Sequence, residues 1–108
     1  MDGLIDQWRA IQQSSLDGVE PSVKEDALRS RLAEFEECIG AMYKLKAAAD
    51  AASKEGMAAI VDEFEQELQL KQVLVALLCG EPLPGPQTEL NIALWKTQPF
   101  LHRLRAGA

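Results

Sequence analysis

The large apolar residues between Leu28 and Met42 fall at Leu28, Leu32, Phe35, Ile39 and Met42. Alternating steps of four and three draw one narrow stripe along a helix. The stripe predicts a helix over 23–53, roughly 45 Å long at about 1.5 Å per residue. Such a helix is longer than a compact domain of this size is wide, and its stripe needs a covering surface. The pattern therefore points to a helical interaction module.

Upstream, Leu4, Ile5, Trp8, Ile11 and Leu16 share one helical face and predict a first helix over 2–16, with Trp8 as its anchor, ending before Asp17-Gly18. Val19-Glu20-Pro21 breaks the chain, and Ser22 with Glu25 three residues later has the spacing of a capping box. After Leu45 the sequence turns to Ala47, Ala48, Ala49, Ala51 and Ala52, strong helix formers that bury little area. Gly56 is the expected reversal point; one continuous rod through it is the alternative, at a cost of about 1 kcal/mol.

A third helix over 57–79 carries Met57, Ile60, Val61, Phe64 and Leu68 on one face, so it can zip onto the second. Beyond Leu68 the apolar residues Leu70, Val73, Leu74, Val75, Leu77 and Leu78 surround the helix, which predicts cover on several faces. Gly80 is a C-terminal cap, and the prolines in 81–87 make a stiff connector. Thr88 is then the expected cap of a fourth helix over 88–97 with Leu90, Ile92, Leu94 and Trp95, stopping at Gln98 before Pro99. Folding this helix over the apolar end of the third would supply the missing cover. The expected fold is a single all-α domain, 1–108: a long antiparallel, coiled-coil-like hairpin with a short helix at each end.

Composition narrows the function. The chain has 108 residues, 47% hydrophobic and 26% charged, enough for one modest core. A net charge of −6 and a pI near 4.7 argue against direct nucleic-acid binding, which draws on Lys and Arg. The acidic runs Glu34, Glu36, Glu37 and Asp62, Glu63, Glu65, Glu67 read as solvated helix faces, and Lys96, His102, Arg103 and Arg105 make the last stretch basic. Cys38 and Cys79 sit in apolar helical stretches without a CxxC, as reduced packing residues do. With neither a signal peptide nor a membrane span, the expected location is cytoplasmic or nuclear.

Candidate chemistry is sparse. His102 stands beside arginines; Ser14, Ser15 and Ser53 lack nucleophile-elbow glycines; no glycine loop suits a phosphate. A carboxylate metal site from Glu34 or Glu37 with Glu63 or Glu67 would be the sharpest enzymatic reading, yet the Glu-x-x-His pairs of di-metal bundles are missing. No enzyme, metal or cofactor is expected. Trp8, Trp95 and Phe100 fit either a core or the aromatic anchors of an interface.

Glu67-Leu68-Gln69-Leu70-Lys71, a proline-containing break, the helix from Leu90 to Trp95 and the ending Trp95-Lys96-Thr97-Gln98-Pro99-Phe100 resemble the cyclin-dependent kinase 2-interacting protein family. Leu4-Ile5-x-x-Trp8 is similar to that family's start, and the stripe with Lys44-Leu45 and Met57 falls where its central coiled coil lies. The Trp-x-x-Gln-Pro-Phe ending carries most of the specificity. Two departures stand out: no polar, basic segment precedes Trp8, and Ser53-Lys54-Glu55-Gly56 replaces an aromatic, proline-containing stretch. The resemblance implies a non-enzymatic nuclear adaptor associated with cell-cycle kinases, with DNA replication and DNA damage factors, and with a AAA-type ATPase assembly in ribosome biogenesis. The expected partner surface comprises Leu68, Leu70, Lys71, Trp95, Gln98, Pro99 and Phe100, with Trp8. A self-associating coiled-coil scaffold is the alternative, because a heptad stripe does not name the helix it packs against.

Overall fold

The computed structural model describes residues 1–20, 22–80 and 84–101, and every regular element among them is helical. Helix α1 spans Asp2–Ser15 and runs into a 3₁₀ turn, Leu16–Gly18; α2 spans Glu25–Ala48, α3 Ala51–Cys79 and α4 Gly85–Thr97. The molecule is elongated, 48 × 25 × 19 Å. Helices α2 and α3 pack along each other, α1 lies on α2, and α4 lies on α3.

The α2 stripe is covered from within the chain. Leu28, Phe35, Ile39 and Met42 are buried with Trp8 and Ile11 of α1 and with Val61, Phe64 and Leu68 of α3, while Leu32 packs at their margin. Trp8 sits at the centre, its ring 4.3 Å from Phe35 and 5.0 Å from Phe64. Burying an aromatic of this size is worth several times the stabilisation of one methylene, so the core concentrates where three helices meet Trp8. The far end of α2 and α3, from Ala47 to Gly56, is almost wholly exposed.

Three expected boundaries move, each for a local reason. The break between the long helices falls at Ala49 and Asp50, not at Gly56: the Asp50 carboxylate accepts the Ser53 N–H at 2.8 Å and caps α3. Gly56 lies inside α3, where a Cβ would meet nothing within 4 Å. The Ser22–Glu25 capping box does not form. Lys24 takes the cap position, its N–H donating to Gly18 O at 2.7 Å, and Glu25 instead pairs with Arg29. Helix α4 begins at Gly85, ahead of Thr88, because Pro86 fits a first turn where its missing N–H is not needed. Pro84 O accepts the Gln87 and Thr88 N–H groups at 3.0 and 3.1 Å. Gly80 does cap α3. The part of the connector at 81–83, together with His102, Arg103 and Arg105, lies outside the described residues.

Candidate functional site

Where α1, α3 and α4 converge, polar groups are enclosed. Gln12 and Ser15 follow Trp8 on its own face of α1, so the helix that buries the indole also buries them. Glu67 and Lys71, one turn apart on the inner face of α3, are fully enclosed. Helix α4 lays Trp95 over them, 4.2 Å from the Lys71 ammonium, and Phe35 bounds the other side at 4.9 Å.

Hydrogen bonds tie the three helices into one network. The Trp95 indole donates to Ser15 Oγ at 2.8 Å, and Ser15 donates to Gln12 O at 2.6 Å. Gln12 Nε2 donates to Trp95 O at 2.9 Å, while Lys71 Nζ donates to Gln12 Oε1 at 2.7 Å and approaches Trp95 O at 3.5 Å. Lys71 lies 3.7 Å from Glu67, whose other oxygen accepts the Phe100 N–H at 3.2 Å. At the mouth, the Trp8 indole donates to Gln98 Oε1 at 2.7 Å. Gln98 holds a left-handed backbone, φ 48°, which ends α4 and turns the chain so that Leu101 is buried.

Burial pulls the Lys71 pKa down from 10.5 to about 8, against the opposing pull of Glu67. A lysine so perturbed is a recognised nucleophile, but Nζ is sealed by two rings, a glutamine and a carbonyl. No reactant reaches it, and its chemistry here is adhesion. Cys38 is similar: its thiol donates to Leu4 O at 3.3 Å, and burial pushes its pKa up to about 11, away from reactivity. Cys38 and Cys79 are both free thiols.

The expected partner surface is therefore redistributed. Trp8, Lys71 and Trp95 are wholly inside and Leu68 nearly so. In the folded chain all four are interior residues, and the polar atoms of Trp8, Lys71 and Trp95 are engaged across helices. Gln98 and Pro99 are half-buried, Leu70 is partly accessible, and Phe100 remains exposed. The aromatic ending thus closes the fold on itself. Among the described residues, no group of three or more His, Cys, Asp or Glu could hold a metal ion, and no helix is long and apolar enough to cross a membrane. A shallow open cleft between Val19-Glu20 and α4 is bounded by the Glu20–Lys96 ion pair.

Sequence reasoning missed Gln12 and Ser15 as members of the junction and placed Glu67 on a solvated face, whereas its carboxylate is wholly buried beside Lys71. Their signal was position: polar residues on faces otherwise apolar. It also passed over Val73, Leu77 and Leu90 as surface residues. No family model matches the chain, and no curated protein or solved structure matches it either.

Proposed function

We propose that the chain is a non-enzymatic adaptor, a helical subunit that binds a larger helical protein. The observation supporting this reading is the distribution of exposed apolar side chains. Among the described residues the most exposed are Val73 at 55%, Leu77 at 42% and Leu90 at 59%, which with Phe100 lie on the α3–α4 half, where Glu67 and Lys71 are turned inward; Tyr43 and Leu45 are exposed on α2. Large apolar groups scattered singly need no explanation, but a concentration of them marks a binding surface.

In this reading α2 and α3 form an antiparallel hairpin with a coiled-coil-like seam. Helix α1 and the α4 closure hold the hairpin in one shape, so that the outer side of α3 is presented rigidly. The resemblance to the cyclin-dependent kinase 2-interacting protein family adds the partner classes: cell-cycle kinases, genome-maintenance factors and a AAA-type ATPase assembly, met in the nucleus or cytoplasm. The reading requires no cofactor, no nucleic acid and no membrane.

Recovery of the tagged chain from its native extract at moderate salt, with co-purifying proteins identified by mass, tests it. A stoichiometric ATPase or coiled-coil subunit is expected. Recovery of the chain alone, at several times its own mass, would overturn the adaptor reading in favour of a self-associating scaffold.

A further inference from the structure

Over the last four turns of α3 the usual placement of charge is inverted. Between Gln66 and Cys79 the charged residues are Glu67 and Lys71, and both are enclosed. The positions facing solvent are Gln66, Gln69, Gln72, Val73, Ala76 and Leu77. None carries charge, in a chain whose residues are 26% charged. A solvated helix face ordinarily carries the charge and keeps apolar groups inside. Depletion of charge with retention of large apolar side chains is instead the composition of an interface core.

Two further features shape this face. Leu70, Val73 and Leu77 follow a three-then-four spacing, a stripe of the kind that meets another helix. Helix α4 packs on α3, with Trp95 against Lys71, and carries the exposed Leu90. At its amino-terminal end the face runs into the exposed Asp62, while the half-buried Glu65 is turned to Tyr43 of α2.

Resting on the adaptor reading above, we infer that the outer face of α3 from Leu70 to Leu77 docks an amphipathic helix of another protein whose apolar stripe is flanked by Lys or Arg. The apolar residues supply the contact, and Asp62, about two turns upstream, together with the net charge of −6 selects the charge. A second copy is disfavoured as occupant: each chain carries −6, so self-association brings like charge together.

The test uses the full chain and two fluorescent helical peptides, one built of Leu and Lys and the other of Leu and Glu with the same stripe. The Leu–Lys peptide should bind at least about tenfold tighter than the Leu–Glu peptide. The double change Val73→Glu and Leu77→Glu should weaken Leu–Lys binding by at least about tenfold although it adds negative charge, with helix content and melting unchanged. Val73→Ser alone should weaken it in the same direction. Equal binding to wild type and double variant, or equal binding of both peptides, overturns the inference. So does a wild-type dimer that the double variant splits, since the occupant would then be a second copy. In native extract, a partner recovered equally by wild type and double variant overturns this face while leaving the adaptor reading standing. Recovery of no partner by wild type overturns both.

Discussion

Lys71 enters the fold as a cation between two aromatic faces, with a carboxylate 3.7 Å away and a glutamine oxygen closer still. Because burial lowers its pKa to about 8 from 10.5, the folded chain holds fewer protons than the unfolded chain between those values. Stability therefore rises with pH from about 8. Above pH 9 the Cys38 thiol opposes this, since the unfolded chain sheds a proton that the folded one keeps up to about 11. The urea midpoint should accordingly report a gain of about 1 kcal/mol between pH 8 and 9. Lys71→Met should abolish that gain. Gln98 carries a second expectation. Gln98→Ala strips the acceptor from the Trp8 indole and keeps the left-handed backbone, a loss of about 2 kcal/mol in the same unfolding measurement. Gln98→Gly loses the same bond but relaxes the backbone, and should cost about 1 kcal/mol less. Some of this was legible in the sequence, because Gln12 and Ser15 recur on Trp8's face and Glu67 and Lys71 interrupt an apolar run. The partner of each was not legible, since the bonds span 59 residues for Lys71 to Gln12 and 90 for Trp8 to Gln98.

At the scale of elements, the apolar stripes foretold which faces are buried, and the helix ends were harder to read. The run from Ala47 to Ala52 favours helix so evenly that composition places no stop within it. Asp50, the one residue there able to cap, sets the break. Gly56 is the weakest helix former nearby, yet breaking a helix requires a competing partner for its backbone, which Asp50 offers and glycine does not. Asp50→Ala should therefore destabilise the chain by about 1 kcal/mol. Gly56→Ala, with open space for the added methyl, should stabilise it by up to about 1 kcal/mol. Thermal melting of the two variants, moving in opposite directions, checks both. If Gly56→Ala instead lowered the melting temperature, the break would lie at Gly56 after all.

At the scale of the whole molecule, order is unequal along the long axis. The aromatic core and the polar junction occupy one part, whereas residues 47–56 project with little buried surface. Hydrogen exchange should find the amides of 43–58 opening well before those of 61–75, because local opening there exposes few apolar groups; equal protection across both stretches would contradict this uneven burial. The all-helical class and the interior role available to both tryptophans could be read from periodicity. The inversion of charge along α3 could not, because it depends on where α4 lies. The bond from Trp8 to Gln98 also bears on how the chain is made. During synthesis, α1 emerges well ahead of Gln98 and stays without that hydrogen-bond acceptor until 90 residues have followed Trp8. A ribosome that stops between Gly80 and Gln98 leaves a product in which the Trp8 indole still meets Phe35 and Phe64 but has no Gln98 to bond, so the last bond of the core is made by residues synthesised long after its first aromatic ring.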